Sequence, residues 1–143
     1  MTAPEWDPDA LPDLTGRTYL VTGATRGLGY FASEQLVRAG ARVVMTGRNP
    51  NRLVAARAAV ERRVPEAATV GPTKTLLLDT SNLGSVRAAA ATARARWSID
   101  GLLLNAGVVH PPRTRETTHG GNEVVFATNV LGTLDLTRAL LPA

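Results

Sequence analysis

Apolar positions fall into two alternating kinds of segment along the chain. Continuous apolar runs of strand length stand at Thr18 to Thr22, Ala41 to Thr46, Thr73 to Leu78 and Ile99 to Leu104. Because they are runs rather than apolar–polar alternations, they predict strands buried on both faces, as in a parallel sheet covered by helices on each side. Between them, apolar residues recur at helical spacing. Leu28, Phe31, Ala32 and Leu36 predict a helix that stops at Gly40, since glycine tolerates the left-handed conformation. Leu53, Ala56, Val60 and Val64 predict a second, ended by Pro65, and Leu83, Val86, Ala90, Ala93 and Trp97 a third. Ser81 or Asn82 can cap that third helix, and a last one is expected from about Asn122 to Leu141. Right-handed crossovers wind such units into one sheet. The expected fold class is α/β, a doubly wound parallel sheet of about four strands in the order 3-2-1-4, incomplete, with helices on both faces.

Ahead of the first strand, Met1 to Thr15 carries Pro4, Pro8 and Pro12 among Glu5, Asp7, Asp9 and Asp13. This reads as an extended acidic lead-in (residues 1–15) before the domain proper (16–143). With no basic residue, it is the reverse of a signal peptide's start, so a cytoplasmic protein is expected. The chain has 143 residues, the length of one ordinary domain, and its 44% hydrophobic and 20% charged residues predict a core rather than disorder. Zero cysteines exclude a disulfide scaffold, a thiolate zinc site, an iron–sulfur cluster and a cysteine nucleophile. No apolar run approaches the roughly 20 residues of a bilayer span, so no membrane partner is expected.

The formal net charge is +4, but four of the 12 acids lie in the lead-in, so residues 14–143 carry 16 basic against 8 acidic groups, or +8. Such a balance suits nucleic acid, a membrane surface or a phosphorylated small molecule. Fifteen of the 16 basic residues are arginine, and Arg57, Arg62, Arg87 and Arg94 recur at helical spacing opposite apolar stripes. They read as solvated helix faces, and no nucleic-acid partner is expected. His110 and His119 flank a proline- and arginine-rich loop without metal-ligand spacing and read as surface residues.

The chemistry concentrates at Thr22-Gly23-Ala24-Thr25-Arg26-Gly27-Leu28-Gly29, between the first strand and the first helix. A strand, a glycine-rich turn and a helix start bring free backbone N–H groups and the positive end of a helix dipole together, which suits a phosphate. The spacing is TGxxxGxG rather than GxGxxG. In a Rossmann-like dinucleotide fold the residue meeting the adenosine ribose follows the second strand, about 20 residues beyond the turn. Here that is Arg48, followed by Asn49, and residues 43–51 contain no acid. A guanidinium pairs with a 2′-phosphate where a carboxylate would repel it, so NADP(H) is favoured over NAD(H), with Arg26 a second cationic contact.

The turn, Asp79 after the third strand, Asn105-Ala106-Gly107 after the fourth, and Asn129 in Thr128-Asn129-Val130-Leu131-Gly132 together resemble the short-chain dehydrogenase/reductase family, in its order and at its spacings. Arg48-Asn49-Pro50, Gly121-Asn122-Glu123 and Leu134 to Pro142 resemble its retinol dehydrogenase and WW-domain oxidoreductase-like branch. The resemblance implies hydride transfer between a nicotinamide cofactor and a carbonyl or alcohol substrate. It implies cofactor contacts from Thr22, Gly23, Thr25, Arg26, Gly27, Leu28, Gly29, Arg48 and Asn49. It implies that Asp79 accepts from the adenine amino group, that Thr80 offers backbone contacts, and that Asn105, Ala106 and Gly107 line the cofactor. Asn129 matches the Asn of the family's catalytic tetrad, whose backbone helps hold a relay water. Leu104 stands where the family usually has a second Asn.

The family's chemistry also needs a tyrosine with a lysine four residues on, and a serine. Tyr19 is followed at that distance by Gly23 and Tyr30 by Glu34, while the single lysine is Lys74. Two readings stay open: the first part of a longer oxidoreductase, inactive by itself, or a short non-catalytic dinucleotide-binding module. In either, the apolar fourth strand is an open edge and the last helix has an uncovered apolar face, so a homo-oligomer through one of these is expected.

Overall fold

In the computed structural model, residues 7, 10–65, 71, 73–108 and 115–141 are described. The order is β1 (Thr18–Val21), α1 (Gly27–Arg38), β2 (Arg42–Gly47), α2 (Pro50–Arg63), β3 (Lys74–Leu77), α3 (Leu83–Arg96) and β4 (Gly101–Leu103). A long final helix, α4, spans 124–140. It opens with Val124–Phe126, passes through a π-helical stretch Ala127–Leu131, and finishes as Gly132–Leu140. The four strands are parallel, as the apolar runs predict, and stand in the expected order β3-β2-β1-β4.

The two sides of the sheet follow from strand alternation. Val21, Val43 and Met45 meet Val37 of α1 and Leu53, Ala56 and Val60 of α2 on one face. Leu20, Val44 and Leu78 meet Val86, Ala89, Ala90 and Ala93 of α3 and Leu136 of α4 on the other. Each fully buried Val, Leu or Met side chain among these contributes roughly 1.5–3 kcal/mol of transfer free energy. Local chemistry sets the helix ends. Asn49 Oδ1 accepts from Arg52 N at 3.0 Å and Asn82 Oδ1 from Ser85 N at 3.1 Å, each satisfying a donor the helix leaves open. Gly40 takes φ 88° just past α1, where its N–H reaches the Val37 carbonyl. Leu14, at the end of the lead-in, donates from its N–H to Ala39 O at 2.7 Å and packs against the α1–α2 side of the core.

Three expectations need correction. The α1 stripe turns: Leu28 is 81% and Phe31 54% exposed, and the helix instead buries Gly29, Ser33, Glu34 and Val37. Gly29 must face inward because it lies against Asn105 and the Gly23 carbonyl, and that close approach rotates the apolar residues beside it outward. Glu34 is tolerated inside because Arg38 and Arg63 pair with its two oxygens at 2.9 and 3.4 Å. The fourth strand is shorter than Ile99 to Leu104, since the Asp100 side chain accepts from Thr18 N and Arg17 before pairing begins at Gly101. The last helix starts at Val124, two residues after the expected Asn122, because both Glu123 carboxylate oxygens take up first-turn donors.

Candidate functional site

The loops at the carboxyl ends of β1 and β4 are joined by hydrogen bonds. Thr22, buried at the end of β1, donates from its N–H to Leu103 O at 2.9 Å and accepts from Ala106 N at its hydroxyl at 2.9 Å. The Thr22 hydroxyl also reaches Leu103 O at 3.3 Å. In return, Asn105 Nδ2 donates to Thr22 O at 3.1 Å and Gly23 O at 3.4 Å. The glycine turn and the 105–107 loop are thus one unit.

Inside the turn, Gly23 takes φ 66°, which a side chain would strain, and a methyl there would sit 3.0 Å from Ala106 Cα. At Gly29 a methyl would come within 2.5 Å of Asn105 Nδ2 and Gly23 O. The turn therefore packs as bare backbone onto the start of α1, and that helix has no acid in its first turn and no side-chain cap from Arg26. Among the described residues, this leaves α1's first N–H groups without a side-chain acceptor at the positive end of its dipole.

On the neighbouring side the turn leans on β2. Ala24 N donates to Thr46 O at 2.9 Å, and a methyl at Gly47 would lie 2.9 Å from Thr25 Cγ2. The residues next to that contact, Arg26 and Arg48, are both exposed, and neither has an ion pair among the described residues. Asn49, expected at the cofactor, has its Oδ1 engaged as the cap of α2.

Asp79 folds back on its own loop. Its Oδ1 accepts from Ser81 N at 3.0 Å and Ser81 Oγ at 2.7 Å, while Asp79 N donates to Ser85 Oγ. The carboxylate braces the turn into α3, and Asn82 is the cap proper. Thr80 beside it is buried under Gly132 of α4.

Asn129 sits in the π-helical stretch, where its amide forms a two-way pair with the Val108 backbone. Oδ1 accepts from Val108 N and Nδ2 donates to Val108 O, each at 2.9 Å. A methyl at Gly107 would meet this side chain at 3.2 Å. Glu123, whose carboxylate accepts from Val125 N and Phe126 N at 2.8 and 2.7 Å, is held below the usual glutamate range by those two backbone donors.

The structure thus brings together Thr22, Gly23, Gly29, Asn105, Ala106, Gly107 and Asn129, with Thr25, Arg26, Gly27, Leu28 and Arg48 on the adjoining rim and Asp79 and Thr80 at the next loop. Val108 had no signal in the sequence, since it acts through its backbone, and Gly132 was legible only as the last residue of the motif around Asn129, without its contact to Thr80. His110 lies outside the described residues, and His119 is exposed. The Tyr19 ring packs on Gly101, and Tyr30 packs into the α1–α2 core.

Comparison with known proteins places this arrangement. Mouse retinol dehydrogenase 14 is 38% identical over 133 residues, covering 88% of this chain and 39% of its own length. The crystal structure of an uncharacterized protein from Mycobacterium paratuberculosis is 34% identical with a TM-score of 0.79, covering 96% of this chain and 46% of that one. A short-chain dehydrogenase from Sphingobium yanoikuyae in complex with NADPH is 26% identical with a TM-score of 0.71, covering 87% of this chain and 46% of that one. The chain spans about two fifths of the length of curated relatives it matches. The short chain dehydrogenase family model matches residues 17–143, and with the parallel sheet and glycine turn this makes the chain a member of the short-chain dehydrogenase/reductase family.

Proposed function

We propose that this chain is the dinucleotide-binding portion of an oxidoreductase that moves hydride between a nicotinamide cofactor and a carbonyl or alcohol, with NADP(H) preferred over NAD(H). The observation that carries the cofactor preference is the pair Arg26 and Arg48. Both are exposed beside the Thr25–Gly47 contact, no acid stands in the first turn of α1 or α2, and neither arginine has an ion pair among the described residues. A 2′-phosphate would meet two guanidinium groups there, whereas a bare ribose hydroxyl finds no carboxylate partner. The Sphingobium relative binds NADPH, which supports the same reading.

The bare backbone at Gly23 and Gly29 fits the group: it packs the turn tightly on Asn105 and Ala106, and this holds the α1 N-terminus where a pyrophosphate would meet it. A bound nicotinamide supplies the hydride chemistry, and the protein supplies position. In this reading Thr22, Gly23, Thr25, Gly27, Leu28 and Gly29 line the phosphates, and Asn49 closes the ribose end. Asp79 and Thr80 meet the adenine, while Asn105, Ala106 and Gly107 flank the cofactor. Asn129 spends its side chain on Val108, so its backbone is the part offered to a proton relay. The domain is residues 16–143, preceded by the 1–15 lead-in, and its substrate is a small carbonyl or alcohol. Self-association runs through α4 or the β4 edge. By itself this chain turns nothing over, because neither of its tyrosines has a lysine four residues on.

Fluorescence titration tests the cofactor reading. NADPH should bind about tenfold or more tightly than NADH, and Arg48→Glu should reverse that order. Tighter NADH binding by the wild type overturns the preference. NADPH oxidation with a carbonyl panel tests the rest, and turnover by this chain alone would refute its expected inactivity.

A further inference from the structure

We infer that Gly132 is a positioning residue that keys α4 onto the Asp79–Thr80 loop and, through Asn129, fixes that loop in register with the 105–108 loop. Three observations carry this. A Cβ placed on Gly132 would fall inside the Thr80 carbonyl, so the helix backbone rests directly on the loop backbone, and both residues are buried. One turn earlier, Asn129 grips Val108 through two hydrogen bonds of 2.9 Å. The 79–82 loop is itself braced by Asp79 on Ser81 and by Asp79 N on Ser85 Oγ, so a push at Thr80 is not absorbed locally.

Rigidity passes along this path. Thr80 touches Gly132, Gly132 follows Asn129 in one helix, Asn129 holds Val108, and Asn105 and Ala106 of the same loop bond to Thr22 and Gly23. One helical segment, 127–132, therefore spans the loops that follow β3 and β4, and the 105–108 loop carries the link on to the turn after β1. The π-helical stretch lies in that segment, and its extra residue per turn brings Asn129 to Val108 while Gly132 still faces Thr80. A side chain at 132 must lift α4 off the 79–82 loop or pull Asn129 from Val108, and either changes the spacing between the two loops. In a close-packed interior that displacement is transmitted rather than damped.

The functional consequence rests on the reading of these loops as the adenosine and nicotinamide sides of a dinucleotide site. The probe is adenosine 2′,5′-bisphosphate, titrated calorimetrically into the wild type, Gly132→Ala and Leu136→Ala. Leu136 is buried one turn on in the same helix, clustered with Leu20, Val44 and Val86, so its truncation destabilises the core without placing any new atom against Thr80. Gly132→Ala should weaken binding about tenfold or more, whereas Leu136→Ala, compared at equal distance below its own Tm, should change it less than about threefold. Equal losses, or none in Gly132→Ala, overturn the inference.

Amide hydrogen exchange of the wild type tests the coupling without ligand or variant. The amides of Ser81, Asn82 and Val108 should share one opening event, with the same protection and denaturant dependence. Independent opening of the two loops overturns the inference even if Gly132→Ala fails to fold. Should the wild type bind no nucleotide, the functional reading falls, and this exchange pattern still decides whether Gly132 links the loops.

Discussion

Around β1 and β2 the large apolar side chains are closed over, whereas along β4 and the outer face of α4 side chains of the same kind stand in solvent. Leu20, Val21, Val43, Val44 and Met45 have no exposed surface, and β1 is paired along both edges. Leu103, Leu104, Phe126, Val130 and Leu134 are exposed, and β4 is paired along one edge. Hydrophobicity does not separate the two regions; what differs is whether this chain supplies a second layer. The β4 run Gly101-Leu102-Leu103-Leu104 also lacks the charges and prolines that blunt natural edges. Relatives more than twice as long have chain to spare for such a flank.

The largest effect that should separate the regions is thermodynamic. Leu20→Ala should cost about 2–5 kcal/mol in urea unfolding, while Leu134→Ala should stay within about 0.5 kcal/mol. A comparable loss at Leu134 would mean that the flank is covered in solution. Asn105→Ala, at the seam between the regions, should cost about 1–2 kcal/mol, since it removes the donor to the Thr22 and Gly23 carbonyls. Leu103→Lys should leave the urea midpoint nearly unchanged but abolish concentration-dependent association in sedimentation velocity, and unchanged association would move the contact to α4.

The smallest effect lies in the acid limb of the stability curve, at Glu34 on the closed side. The Arg38 hydrogen bond, then the charge of Arg63, hold Glu34 below its ordinary value of 4.5, against burial that pushes it up. The unfolded chain then binds the proton more readily than the folded one. The stabilisation is complete above 4.5 and fades as pH falls through 4.5 toward the depressed folded value. Glu34→Gln should flatten that decline in thermal melts taken across the interval; parallel declines would show that the ion pairs contribute nothing.

Much of this architecture was legible in the residues because long apolar runs and caps act locally. The α2 stripe Leu53, Ala56, Val60 and Val64 is buried as its spacing predicts, and Asn82 caps α3. Reading failed where a distant segment decides. The rotation of α1 goes with Gly29 meeting Asn105, and the π-helical stretch with Asn129 meeting Val108, pairings far apart in sequence. Asn49 was legible as a polar residue at the right place, but only the helix that follows reveals that its Oδ1 serves as a cap. The glycine turn was readable as a strand-to-helix connection of bare backbone because its requirement, backbone without side chains, is written in residue identity.

The pairing of β1 with β4 has a consequence in time. Thr18 meets Arg42 only 24 residues away, while Tyr19 meets Gly101 across 82. Closing the longer loop costs more chain entropy, so the β1–β2–β3 unit, each neighbour joined through one helix, should assemble first. Until residue 103 arrives, β1 itself is an unpaired edge. During synthesis, that interval is when the chain is most open to pairing with a neighbour.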